Sequence, residues 1–94
     1  MTFNTEPTFK TVTVGASATL IIGANSQRIS LIIVNTGTPT VYIGQDNTVL
    51  TTTGIPLATN GNLTEDSGGQ KVYCGDIWGI CASTSDVRVW ERQR

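Results

Sequence analysis

Histidine is absent from the 94 residues. That removes the side chain most often used as a general base and the commonest metal ligand. A Ser–His or Cys–His nucleophile cannot be assembled within this chain, and a Ser–Lys pair would need Lys10 or Lys71 in an apolar pocket. Cysteine is scarce: Cys74 and Cys81 are too few for a disulfide scaffold and wrongly spaced for a C-x-x-C zinc or redox motif. They read as small buried hydrophobes or inert thiols, with a Cys74–Cys81 bridge as the other option. Charge is scarce too, at 14% of residues against an average of about 25%. Lys10, Arg28, Lys71, Arg88, Arg92 and Arg94 are scattered apart from the last two, and the net charge is −1, which argues against nucleic acid as a partner. No apolar run reaches the roughly 18 residues of a membrane span. The first seven residues are polar and include Glu6, unlike a secretory signal. The expectation is a product made in a cytoplasm, which stays there unless it leaves within a larger particle. No segment sustains a 3.6-residue period, so no helix beyond a turn is expected.

What remains is β-type sequence. The stretch 28–45 organises the chain: Ile29, Leu31, Ile32, Ile33 and Val34 precede a polar Asn35–Thr40 turn, and Val41, Tyr42 and Ile43 follow it. This reads as a central hairpin. Its first strand is apolar on both faces, with Ile29, Leu31 and Ile33 on one and Ile32 and Val34 on the other. Such strands are usually covered twice, here by a second sheet and by a loop, the N-terminal arm or another subunit. Residues 8–14 alternate, with Val12 and Val14 on one face. Residues 18–22, 63–65, 71–74 and 77–82 read as further short strands, and 48–53 as β-prone. Pro56 makes 54–57 an edge or corner. Residues 83–86 read as a hairpin turn. Residues 86–91 alternate most cleanly, Val87 and Val89 inward, Arg88 and Trp90 outward.

The fold class is therefore all-β: a small antiparallel β-sandwich or barrel, jelly-roll-like, of about eight short strands. Low charge in a chain of this complexity also points to a surface partly covered by partners. Residues 1–7 read as an extended N-terminal arm, with a frayed terminus as the other option, and 8–94 as a single β-sandwich domain.

Catalytic and metal signals are weak. Glu65 and Asp66 are neighbours in a loop and point apart, so they make a poor acid–base pair. Asp46 and Asn47 lack the remaining ligand series of a calcium loop. Gly68-Gly69 precedes no helix, so no phosphate loop forms. No catalytic residue, metal site or cofactor is expected, and the chain is read as a non-enzyme. The aromatics carry more information. Trp90 faces outward, packed under a loop, anchoring a protein interface or stacking a sugar, and Arg88 on the same face favours the interface. Phe3 is an aromatic anchor in a polar arm. The candidate interface residues are Phe3, Phe9, Arg88 and Trp90.

One pattern spans roughly 28–91. It runs Arg28-x-x-Leu31-x-Ile33-x-Asn35-x-Gly37, Val41-Tyr42-Ile43-Gly44 and Gly54-x-Pro56-Leu57, then an aromatic-rich strand and Asp86-Val87-Arg88-Val89-Trp90-Glu91. It resembles small structural proteins of tailed bacteriophages. Capsid decoration (cement) proteins and small fibre or tail modules look like this, as β-sandwiches that are commonly trimeric. The two cysteines and a Thr-rich insert before Gly54 depart from the pattern. The resemblance implies a virion structural protein on the capsid surface, with the major capsid protein as partner, a homo-oligomer with the trimer favoured, and neither nucleic acid nor membrane bound. A receptor- or carbohydrate-binding fibre module and a head–tail adaptor are the alternatives it leaves.

Overall fold

A computed structural model describes residues 8–66 and 72–93. The expected arm, Phe3, and most of the Gly68-Gly69 loop lie outside them. Among the described residues eight strands form: β1 Thr8–Val14, β2 Thr19–Ile22, β3 Arg28–Asn35, β4 Val41–Gly44, β5 Ile55–Leu57, β6 Asn62–Asp66, β7 Ile77–Ile80 and β8 Ser85–Gln93. No helix occurs among the described residues.

The pairing follows one rule. β1 pairs with β8, β2 with β7, β3 with β6 and β4 with β5, all antiparallel. The chain is thus one long double ribbon that turns back between β4 and β5. Rolling the ribbon brings β3 against β8 and β4 against β7. The result is two four-stranded sheets, ordered β1-β8-β3-β6 (the first sheet) and β2-β7-β4-β5 (the second). This is a small β-sandwich with jelly-roll winding.

Residues of alternate parity fill the space between the sheets. From the first sheet come Val14, Leu31, Ile33, Val87 and Val89; from the second, Ile21, Val41, Ile43, Leu57 and Ile77. Each buried aliphatic of this kind contributes about 1.5–3 kcal/mol. Gly79 leaves room for the core: a Cβ there would meet Ile21 Cδ1 at 2.7 Å.

Five expectations change. The 28–45 stretch is not a hairpin, because β3 and β4 lie in different sheets. Both edges of β3 are taken by β6 and β8, and Asn35 steers the turn across the sandwich. Its Nδ2 donates to the Pro39 and Leu57 carbonyls, both at 2.8 Å, and its Oδ1 accepts from Ser85 Oγ at 2.6 Å and from Gly37 N at 3.1 Å. Gly37 passes so close to Ser85 that a Cβ would clash with its hydroxyl. The turn before β8 likewise crosses between sheets, joining β7 to β8.

The β-prone 48–53 run makes turns instead. Thr48 N and Oγ1 both donate to Asp46 Oδ1, and Leu50 N donates to Thr53 Oγ1. Short polar side chains compete here with a ladder. Val49 folds back over Gly44, where a Cβ would stand 2.6 Å from its own. Residues 72–74 form no strand, because their carbonyls face elsewhere: Tyr73 O to Arg28 Nη1 and Cys74 O to Asn25 N. Finally, the β3–β8 register shifts between Arg28 and Ser30. One extra residue, Ile29, sits in the resulting bulge, and Arg28 turns into the interior.

Candidate protein-interaction face

The outward side of the first sheet is built by register. Phe9, Trp90, Ile32 and Thr64 stand side by side on β1, β8, β3 and β6. The adjacent row is Thr11, Arg88, Val34 and Asn62. Along β8 the exposed residues are Asp86, Arg88, Trp90 and Arg92, alternating with buried Ser85, Val87, Val89 and Glu91. The outward placement expected for Arg88 and Trp90 is what the strand shows.

Phe9 and Trp90 stack, with ring centroids 5.7 Å apart and planes 5° from parallel. Such offset stacking is worth about 0.5–1.5 kcal/mol beyond area burial. It leaves much apolar surface in water: Phe9 is 70% exposed and Trp90 37%. Ile32 and Val34 beside them are half-buried. Two of the four candidate residues, Phe9 and Trp90, are thus in contact. Arg88 neighbours them one row away, and Phe3 lies outside the described residues.

Asp86, Arg88 and Arg92 on this face are exposed, and the Arg28–Glu91 ion pair lies elsewhere. Asp86 Oδ1 accepts from Thr13 Oγ1 at 2.8 Å. Sequence reasoning passed over Asp86 and Arg92 as parts of this surface, although the two-residue period of β8 places both there.

It also missed the buried pair. Arg28 Nε lies 2.7 Å from Glu91 Oε2, with the two side chains 0% and 7% exposed. The remaining guanidinium nitrogens donate to the carbonyls of Tyr73, Gly75 and Gly23 at 2.8–3.1 Å. Four of its five N–H donors are paired in this way, which is how a buried charge is compensated. The available signal was Glu91 itself, an acid at the inward parity of Val87 and Val89. This cluster ties β3, β8, the end of β2 and the 72–76 segment together. It is structural, with no open side facing a ligand.

Strand addition at the sheet edges is disfavoured. On β1 the inward-facing Lys10 is exposed at the edge, β2 has only four residues and an irregular register, β5 carries Pro56, and β6 carries Glu65 and Asp66. Short strands, edge lysine, proline and charge are the devices that block pairing with another chain. Glu65 and Asp66 are consecutive on β6, so they occupy opposite faces and form no carboxylate pair. Asp46 is fully exposed. The hydroxyl and then the amide of Thr48 hold its carboxyl below the usual range. Cys74 and Cys81 are free thiols. Among the described residues no group of three or more His, Cys, Asp or Glu is placed to hold a metal, and no helix is long and apolar enough to cross a membrane.

No protein-family model, curated protein or solved structure matches this chain.

Proposed function

We propose that the chain is a non-enzymatic virion structural protein, a capsid decoration or cement module that binds the capsid surface of a tailed bacteriophage. One observation carries the reading: a stacked aromatic pair, exposed, continues into Ile32 and Val34 across the outer face of the first sheet. Contiguous exposed apolar surface of this kind marks interaction sites. Trp and Arg together are the side chains enriched at interface hot spots. The blocked edges leave faces and loops, rather than strand exchange, as the route to partners. The phage setting rests on the resemblance of residues 28–91, and jelly-roll winding is common in capsid domains. In this role each copy makes modest contacts, and a repeating lattice multiplies them through effective concentration.

A carbohydrate-binding fibre module is the competing reading. It needs an open ring face, and here the two rings cover one another on one side. Co-sedimentation with empty shells of the cognate capsid tests the proposal. The wild-type chain is expected to saturate the shells, and Phe9→Ser with Trp90→Ser to lose most of that occupancy. A folded wild-type chain that does not bind shells but gives hits on a glycan array would overturn it.

A further inference from the structure

The occupant of the outer face can be read from its order of charges. Resting on the reading of that face as an interface, we infer that in the free protein, before a shell displaces it, this face pairs with the same face of a second copy about a two-fold axis. Along β8 the outward residues are Asp86, Arg88, Trp90 and Arg92. Read backwards, the series is Arg92, Trp90, Arg88, Asp86. Laid against itself antiparallel, it sets each Asp86 carboxylate opposite an Arg92 guanidinium, and each Arg88 opposite a Trp90 ring. The first contact is an ion pair, and the second a cation–π contact of the kind that forms within about 6 Å of a ring centre. On β3 the same operation sets Ile32 opposite Val34. Nothing on β8 or β3 meets its like charge.

The alternative two-fold, running along the strands, stacks β8 parallel to itself. It sets Asp86 on Asp86, Arg88 on Arg88 and Arg92 on Arg92, which like-charge repulsion disfavours. The face is therefore self-complementary in one orientation, as an isologous interface must be. The geometry is that of two packed sheets, about 10 Å apart with strands crossing at about 30°. Asp86 and Arg92 each stand three residues from the axis, about 10 Å along the strand. The crossing then separates them sideways by about 5 Å, within the reach of an arginine. This symmetry is two-fold, unlike the three-fold one that the resemblance implies.

Sedimentation velocity on the full chain, over a range of concentrations, tests the inference. Wild type is expected to dimerise with concentration. Asp86→Arg alone places Arg against Arg, and Arg92→Asp alone places Asp against Asp, so each is expected to associate at least about tenfold more weakly. An equimolar mixture of the two variants restores both opposite-charge contacts and is expected to form dimers with one copy of each. Circular dichroism melts check that each variant is folded. If Asp86→Arg does not fold, because Thr13 loses its acceptor, Arg92→Asp and Trp90→Ser carry the test through loss of the dimer. A wild-type chain that stays monomeric, a trimer indifferent to these charges, or single variants that dimerise like wild type would overturn the inference. A monomer that still saturates shells overturns the self-pairing alone. A charge-sensitive dimer that never binds shells supports the self-pairing and overturns the capsid reading alone.

Discussion

On the inner face of β3 and β8, Leu31, Ile33, Val87 and Val89 are almost wholly removed from water, while on the outer face of the same strands Ile32, Val34 and Trp90 are only partly covered. On β3 both faces carry aliphatic side chains, so apolar content does not separate them there. Cover does: the inner face lies against the second sheet, and nothing among the described residues lies over the outer one. The inner face also accepts a charge, Glu91, because Arg28 neutralises it and is itself held by three carbonyls. On the outer face of β8, Asp86, Arg88 and Arg92 stay exposed. A β-strand can thus carry two apolar faces for different ends, one to hold the domain closed and one to meet a neighbour.

The contrast breaks hardest at its buried charge. Arg28→Ala leaves Glu91 unpaired in the interior and is expected to destabilise the fold by about 3–5 kcal/mol in a urea titration. Leu31→Ala opens a cavity in the inner row and should cost about 2–5 kcal/mol. Ile32→Asp, one residue along but on the outer face, should lower stability by only about 1–2 kcal/mol, from lost partial burial. It should nevertheless abolish self-association by sedimentation. An Ile32→Asp chain that unfolds completely would mean the outer face belongs to the core. Thr38→Asp, exposed in the crossover, should stay within about 0.5 kcal/mol.

The smallest effect is electrostatic. The folded-state carboxyl of Asp46 titrates below its ordinary range because Thr48 donates to it. Its contribution is therefore present above the unfolded value and is lost as pH falls through the folded one. Melting curves of wild type and Thr48→Ala should converge in acid and separate slightly towards neutrality.

Much of this was legible in the residues. The alternation at 85–93 and the two-faced character of β3 follow from the period of two, which needs no partner to be read. Which strands share a sheet did not follow. Asn35, Gly37 and Pro39 are turn residues whether a chain doubles back beside itself or crosses to another layer. What decides is where the Asn35 amide finds acceptors, and Leu57 O lies 22 residues away. Residues 72–74 failed as a strand for a similar reason, since the distant Arg28 guanidinium takes the Tyr73 carbonyl and the Asn25 amide that of Cys74. On the candidate face, Trp90 and Arg88 were visible from one strand. Their alignment with Phe9 and Ile32 required the register of β8 with both neighbours, which no local pattern encodes.

The pairing of first strand with last has a consequence in time. During synthesis β1 emerges first and β8 last, yet β8 lies between β1 and β3. The first sheet cannot close until its central strand has left the ribosome, and until then β1 and β3 each wait with an unpaired edge. Domains dominated by such distant pairings fold over about milliseconds to seconds. The apolar residues on both faces of β3 are exposed throughout that wait. Folding of this domain is therefore completed only after β8 has emerged, by insertion of a strand into a gap that its two neighbours have to hold open.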